Sequence, residues 1–188
     1  MSLRPGFRNR LGVPVAIFSV FAAPLALALL VYGRPEWQPA DSLARGQLVH
    51  PPQPLVSSQL SDLEGRPLDT GLFRGRWTLL YWSADGCAQR CREQLNALLR
   101  ICRAEAKGQG RLQRVLAVPE LSADLTQTLR QTDAGLRLVL AERRWTLPDG
   151  QVYLIDPLGN LVLHYPPSSP PQDIAKDLAR LLRLSGIG

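Results

Sequence analysis

The sequence WTLLYW at Trp77–Trp82, followed by SADG at Ser83–Gly86 and CAQRC at Cys87–Cys91, decides the fold of this chain. A continuous apolar and aromatic run of this kind predicts a strand that is buried on both faces. The next segment, 87–107, carries apolar residues at helical spacing, namely Leu95, Leu98, Leu99 and Cys102. Two cysteines are therefore predicted between a buried strand and the start of a helix.

Further elements are predicted on both sides of this unit. Residues 55–70 predict a short hairpin that turns at Glu64–Gly65. Toward the C-terminus, the patterns predict strands at 112–119, 151–156 and 160–165, a turn at 156–160, and helices at 120–132 and 173–184. Residues 136–141 fit a short strand or a helical turn, and the pattern does not distinguish them. This order predicts an α/β fold with a central mixed sheet, the order of a thioredoxin-like domain.

The N-terminus predicts a single membrane span. Residues 11–32 carry no charge, and these 22 residues suffice to cross a bilayer core, which takes about 20 residues in a helix. Residues 1–10 carry Arg4, Arg8 and Arg10 and no acidic residue, which predicts that this tail stays in the cytoplasm. A cleavable signal peptide is disfavoured. Its apolar region is about 7–15 residues long and ends at small residues, whereas this uncharged segment is longer and ends without such a cleavage site.

The chain is accordingly predicted to have four parts. They are a cytoplasmic tail at 1–10, a transmembrane anchor at 11–32, a proline-rich stalk at 33–54 and a thioredoxin-like domain at 55–188. The stalk assignment rests on Pro35, Pro39, Pro51, Pro52 and Pro54, since proline-rich segments are semi-extended.

Composition and charge exclude several classes of protein. The chain has 188 residues, 45% of them hydrophobic and 20% charged, with a net charge of +6, which fits one globular domain and excludes a disordered chain. The three arginines of the tail supply half of that charge, and no basic stretch is interleaved with aromatic residues, so the sequence predicts no nucleic-acid partner. Three cysteines are too few for a fold built on disulfides.

The cysteine pair has the spacing C-x3-C. If both residues lie in the helix, their Cβ atoms are about 5–6 Å apart, which suits two thiolates on one metal ion. A disulfide needs Cβ atoms about 3.5–4.5 Å apart, so it requires Cys87 to lie in the loop before the helix. The helix N-terminus stabilises a thiolate, and Arg90 and Arg92 add positive charge. A metal pair, a redox disulfide and an inert structural disulfide all remain open at this point.

Two histidines are candidates to complete such a site, whereas the third cysteine is not. Cys102 lies about three turns beyond Cys91, roughly 16 Å along the helix axis, and is predicted to be a small core residue. His164 in the edge hairpin and His50 in the stalk are candidate third metal ligands, although a single histidine on a strand or stalk is commonly an ordinary surface residue.

These segments together resemble the Sco (SenC) proteins, thioredoxin-like copper proteins that assist cytochrome c oxidase assembly. The resemblance covers about residues 55–186, in QLSDLEGRPLDTGLFRGRWTLLYW (59–82), C-x3-C and VYLIDPLGNLVLHY (152–165), and it extends to the membrane anchor. The family has a proline where this chain has Arg92. Its copper-binding histidine falls eight residues before Asp156, at Pro148 here, and Pro148 also resembles the cis-proline that faces the cysteines in thioredoxins.

The resemblance implies a membrane-anchored accessory factor for cytochrome c oxidase assembly in the bacterial inner membrane, with its domain in the periplasm. Cys87 and Cys91 would handle Cu(I) or reduce the cysteines of the oxidase's copper-binding subunit, with His164 as a candidate additional copper ligand. The implied partners are an oxidase subunit or other assembly factors. Two thiolates suit Cu(I), whereas Cu(II) favours nitrogen donors. The alternatives are a general exported thiol–disulfide oxidoreductase and a non-catalytic thioredoxin-like scaffold.

Overall fold

Trp77–Trp82 forms strand β3, which lies in the middle of the sheet and is buried along its entire length. We describe the fold from a computed structural model, which describes residues 12–34, 44–55, 59–105 and 110–185. The elements follow the order α1 (Gly12–Tyr32), β1 (Gln47–Pro54), β2 (Leu60–Ser61), a 3-10 helix (Thr70–Phe73), β3, α2 (Gln89–Ala104), β4 (Leu112–Val118), α3 (Ala123–Thr132), β5 (Leu136–Ala141), β6 (Val152–Ile155), β7 (Asn160–Tyr165) and α4 (Pro171–Leu184).

The sheet has seven strands in the order β1-β7-β6-β3-β4-β5-β2. Strands β3, β4 and β5 are parallel, and the other four pair antiparallel to their neighbours. The predicted α/β fold with a central mixed sheet is confirmed. Because β3 and β4 are adjacent and parallel, their carboxyl ends lie side by side at one end of the sheet, where functional residues of open α/β sheets gather.

The two faces of the sheet carry separate cores. One core packs α2, α3 and α4 on the sheet and includes both Cys87 and Cys91. The other core lies on the opposite face, where Phe73, Trp145 and neighbouring loop residues cover Leu80 and Trp82. Successive side chains of a strand point to opposite faces, so the position of a residue along its strand decides to which core it belongs.

Most of the predicted elements agree with the structure within a few residues. The turn at Glu64–Gly65 is present, with Gly65 at φ +79°, and Ser122 caps α3 by accepting a hydrogen bond from the backbone N–H of Leu125. Residues 136–141, which the sequence left open, form a strand because they pair with both β4 and β2.

The segment 47–54 differs from its assignment to the stalk. It forms β1, which pairs antiparallel with β7 and has an irregular register between Leu48 and Gln53. Prolines are tolerated there because β1 is an edge strand, where N–H groups on the open side need no partner. The domain therefore begins earlier in the chain than residue 55. As a second consequence, β7 is an interior strand, so the prediction that His164 lies on an edge hairpin is wrong.

The chain divides into two units, residues 1–42 and 43–188. In the first unit, α1 contains Pro24, and its large apolar side chains between Val15 and Leu30 are exposed. Across the residues that the structure describes, no helix is long and apolar enough to cross a membrane. The predicted cytoplasmic tail at 1–10 and the part of the stalk at 35–43 lie outside the described residues.

Candidate thiol–disulfide site

Cys87 and Cys91 form a disulfide, with their Cα atoms 5.0 Å apart. Helix α2 begins at Gln89, so Cys87 lies in the loop before the helix and Cys91 in its first turn. This is the arrangement that the spacing required for a disulfide rather than for a pair within the helix. Cys87 is 6% exposed and Cys91 2% exposed, so Cys87 is the more accessible of two buried cysteines.

A tight turn places Cys87 in front of the helix. The Ser83 hydroxyl donates a hydrogen bond to the carbonyl oxygen of Gly86 at 2.6 Å. The Ser83 N–H donates to the carbonyl oxygen of Ala117 in β4 at 3.1 Å. Gly86 has φ +80°, a conformation that costs other residues free energy. The turn is thus fixed to the central strands on one side and delivers Cys87 to the helix on the other.

The N-terminus of α2 provides a positive electrostatic environment for a thiolate. Its N-cap residue is Ala88, which has no side-chain acceptor to cap the first N–H groups. Unpaired N–H groups at a helix N-terminus stabilise a nearby anion. Arg90 and Arg92 are exposed in the first turn, and the Arg92 guanidinium donates to the side-chain oxygen of Gln89 at 3.0 Å. The reduced form of Cys87 would therefore favour the thiolate.

Asp149 is a residue of the site that the sequence analysis did not single out. Its carboxylate accepts a hydrogen bond from the Ala84 N–H at 2.6 Å, which ties the β5–β6 loop to the turn before Cys87. Burial raises the pKa of Tyr81, the negative charge of Asp149 raises it further, and Arg90 opposes this rise. Tyr81 therefore remains a neutral hydroxyl in the core that contains both cysteines. The only sequence signal for Asp149 was its position directly after Pro148.

His164 does not join the cysteines. It pairs with Tyr153 across β6 and β7, and Tyr153 belongs to the core on the face opposite the cysteines. The His164 Nδ1 atom lies 2.9 Å from the side-chain oxygen of Gln151, and burial lowers the pKa of the imidazole. Within the described parts of the chain, no group of three or more His, Cys, Asp or Glu residues could hold a metal ion.

The structure also places the other three residues that the sequence analysis considered, Cys102, His50 and Pro148. Cys102 is a free, buried thiol in the helix-side core, as predicted, and burial raises its pKa. His50 lies in β1 and forms a cis peptide bond with Pro51. The peptide bond before Pro148 is trans, because the His50–Pro51 bond is the sole cis bond among the described residues. The expected likeness of Pro148 to a cis-proline is therefore wrong.

A family model matches more than half of the chain. The model described as "Transmembrane-like, thioredoxin-like, C-terminal domain" matches residues 77–185. This range runs from the start of β3 to the end of α4 and includes both cysteines. No curated protein sequence matches the chain significantly.

Three solved structures illustrate the likeness in fold. Apo Sco1 from Thermus thermophilus is 19% identical with a TM-score of 0.58, and the match covers 76% of this chain and 99% of that one. Copper-bound ScoI from Arabidopsis thaliana is 15% identical with a TM-score of 0.54, covering 76% and 100%. A thiol:disulfide interchange protein from Bacteroides sp. is 15% identical with a TM-score of 0.52, covering 72% and 91%. At these identities the comparisons show a shared thioredoxin-like fold.

Proposed function

Since this chain belongs to the family of transmembrane-like, thioredoxin-like C-terminal domains, we propose that it exchanges electrons with client proteins through Cys87 and Cys91. The observation that carries this proposal is the position of the pair. Cys87 lies outside α2 and Cys91 inside it, at the carboxyl end of a central strand and with a disulfide between them. A thiolate held at a helix N-terminus beside a second thiol is suited to thiol–disulfide exchange.

The exchange has two steps. In the reduced protein, the Cys87 thiolate attacks a client disulfide, forms a mixed disulfide and releases one client thiolate, which takes up a proton. The Cys91 thiol loses its proton, and its thiolate then attacks the Cys87 sulfur of the mixed disulfide. This step forms the Cys87–Cys91 disulfide and releases the second client thiolate. The client has gained two electrons and two protons, and a dithiol reductant must restore the pair.

We infer that the client is a copper-binding subunit of cytochrome c oxidase, whose cysteines must be reduced before they bind copper. Support comes from the Sco-like segments of the sequence and from the likeness in fold to Sco proteins. A general exported oxidoreductase is the alternative, and the likeness in fold to a thiol:disulfide interchange protein is compatible with it.

The test uses the reduced full-length chain in detergent and the soluble copper-binding domain of an oxidase subunit with its two cysteines oxidised. We expect the wild type and the Cys102→Ser control to generate client thiols. Cys91→Ser should accumulate the mixed disulfide, and Cys87→Ser should do neither. Equal activity of Cys87→Ser and the wild type would overturn the proposal. Equally fast reduction of unrelated disulfide proteins would favour the general oxidoreductase.

Transfer of Cu(I) is a second function that the same two sulfur atoms can serve. Reduced Cys87 and Cys91 supply two soft ligands, which suit Cu(I) as a cargo. His164 lies on the opposite face of the sheet from them, and Pro148 has no donor atom in its side chain. We therefore expect the reduced protein to bind one Cu(I) and to hold Cu(II) poorly. Anaerobic Cu(I) titration of the wild type beside Cys87→Ser tests this, and a stable Cu(II)–thiolate absorption band would contradict it.

We further propose that residues 11–32 anchor the domain on the periplasmic side of the bacterial inner membrane. The support is the uncharged sequence of this segment after three arginines, together with a helix that exposes apolar side chains. Such a helix requires an apolar environment. A C-terminal alkaline phosphatase fusion should be active in cells, and an inactive fusion would reject the orientation.

A further inference from the structure

A cleft lined by arginines lies at the end of the sheet that is opposite the disulfide. It occupies about 460 Å³, and its lining includes Arg76, Arg103, Arg114, Arg137 and Asp133. Arg76 directly precedes β3, whereas Cys87 follows β3. The two sites are therefore separated by the length of a six-residue strand, roughly 20 Å. One loop, one helix and two strands supply these arginines, so the cleft exists only in the folded domain.

The charges of the cleft are unbalanced. Arg114 donates two hydrogen bonds to the carboxylate of Asp133, each at 2.7 Å, and this ion pair is largely shielded from solvent. Arg76, Arg103 and Arg137 form no hydrogen bond or ion pair within the parts of the chain that the structure describes. The positive charges of these three guanidinium groups therefore face the cleft without an acidic partner.

The acidic groups around the cleft do not cancel this excess. Asp133 is already paired, and one of its oxygens also accepts the Gly135 N–H at 3.0 Å. Glu105 lies near enough to Cys102 to contribute to the rise in the pKa of that thiol, but it is not among the lining residues. Among the lining residues that the structure describes, Asp133 is the single acid and is outnumbered by four arginines.

The wall of the cleft is packed closely around Arg114. A Cβ atom added at Gly135 would lie 2.9 Å from a terminal nitrogen of the Arg114 guanidinium, so glycine allows the backbone to approach this group. The guanidinium is thereby fixed by Asp133 on one side and by the chain at Gly135 on the other. Leu99 and Leu112 contribute an apolar part of the lining. The cleft thus combines a fixed wall around Arg114 with three exposed guanidinium groups.

Helix electrostatics explain only one of these arginines. Arg103 lies in the last turn of α2, where a cation interacts favourably with the carbonyl end of the helix. Arg76 lies in the loop before β3, and Arg137 lies in β5, so neither has such a role. A planar guanidinium matches two oxygens of a phosphoryl group, and several of them favour a ligand with more than one negative charge.

We propose that this cleft binds a ligand with a terminal phosphoryl group, which carries more than one negative charge. Arg76, Arg103 and Arg137 hold its oxygens, while Leu99 and Leu112 contact the adjacent apolar part of the ligand. A soluble phosphate monoester and a phospholipid whose phosphate is a monoester share this chemistry. The site does not depend on the redox chemistry of Cys87 and Cys91.

Calorimetric titration of the full-length chain in dodecyl maltoside tests the proposal with two probes, inorganic phosphate and dihexanoyl phosphatidic acid, and the same titrations into dodecyl maltoside alone are subtracted. The test variant is Arg76→Gln/Arg137→Gln. Its control, Arg143→Gln/Arg144→Gln, removes the same charge from the loop after β5, at the other end of the sheet. Thermal unfolding of both variants verifies that they are folded.

We expect saturable binding to the wild type that the cleft variant weakens about tenfold or more, since hydrogen bonds to charged groups are strong. The control should change affinity by less than about twofold, as expected for exposed charges. Tighter binding of phosphate would identify a soluble ligand, and tighter binding of the phospholipid would identify a headgroup. Equal loss in both variants, or no saturable binding of either probe, would overturn the proposal.

Discussion

Replacing Asp177 with alanine should strongly destabilise the domain, because this carboxylate holds the start of the domain on α4. Asp177 is 4% exposed. It accepts hydrogen bonds from the Arg45 N–H at 2.8 and 3.0 Å, the Gly46 N–H at 2.8 Å and the Tyr165 hydroxyl at 3.0 Å. Burial, followed by the charge of Asp177, raises the pKa of Tyr165, so the hydroxyl remains a donor at any ordinary pH.

The size of the effect follows from the three donors that would lose their acceptor. A buried donor without a partner costs about 1–3 kcal/mol. Arg45 is exposed, so water can replace one of the bonds, and removal of the carboxylate also removes the cost of burying it. We therefore expect a loss of about 2–4 kcal/mol in the free energy of unfolding. For a domain of this size that lowers the Tm by about 6–12 °C.

The control lies one turn earlier on the same helix. Asp173 makes a single ion pair with the Arg45 side chain at 3.3 Å, and the side chains are 26% and 51% exposed. Asp173→Ala should therefore cost less than about 1 kcal/mol. Urea unfolding of the wild type and both variants, followed by tryptophan fluorescence and circular dichroism, gives the free energies. A loss for Asp177→Ala no larger than that for Asp173→Ala would refute the reasoning.

Three further predictions concern the site and its surroundings. Limiting iodoacetamide at about pH 6 should label Cys87 before Cys91 in the reduced protein, since a helix N-terminus favours the thiolate; peptide mass mapping that finds Cys91 labelled first would reverse the assignment. Gly86→Ala, with φ +80° and open space for a Cβ, should cost about 1–2 kcal/mol and also shift the reduction potential of the disulfide. The control Gly65→Ala, with φ +79° and the same open space, should lower the free energy of unfolding in denaturant by a similar amount and leave the reduction potential of the disulfide unchanged. A shifted potential in both variants would contradict the role of the turn before Cys87. Burial lowers the pKa of His164, so the unfolded chain takes up a proton more readily than the folded one, and the free energy of unfolding should decrease as the pH falls below about 6.5. His164→Gln should reduce this pH dependence. An unchanged slope would show that the histidine does not contribute.

The sequence by itself determined the features that depend on neighbours along the chain. The apolar run Trp77–Trp82 required burial on both faces. The helical spacing after Cys91 indicated α2, and the spacing of 173–184 indicated α4. Each signal is local, because strand and helix periodicities involve residues only a few positions apart. The fold class and the placement of Cys87 and Cys91 between β3 and α2 followed from these signals.

The tertiary structure decided the features that depend on pairing between distant segments. The prolines of 47–54 indicated a stalk, yet this segment became β1 because an edge position beside β7 was open to it. Alternation along β7 places His164 on one of two faces, but only the packing of the helices shows that the cysteines lie on the other. Asp149 reaches Ala84 across 65 positions of sequence.

The arginine cleft is the clearest case of this second kind. Arg103, Arg114 and Arg137 belong to three separate elements and Arg76 to the loop before β3, and in the sequence they are four basic residues among 22. Local propensity carries no information on which of these side chains meet, because their proximity is created by the parallel pairing of β3, β4 and β5 and by the packing of α2 on them. Sequence periodicity assigns a residue to a face of its own element, whereas a site requires the relative positions of several elements.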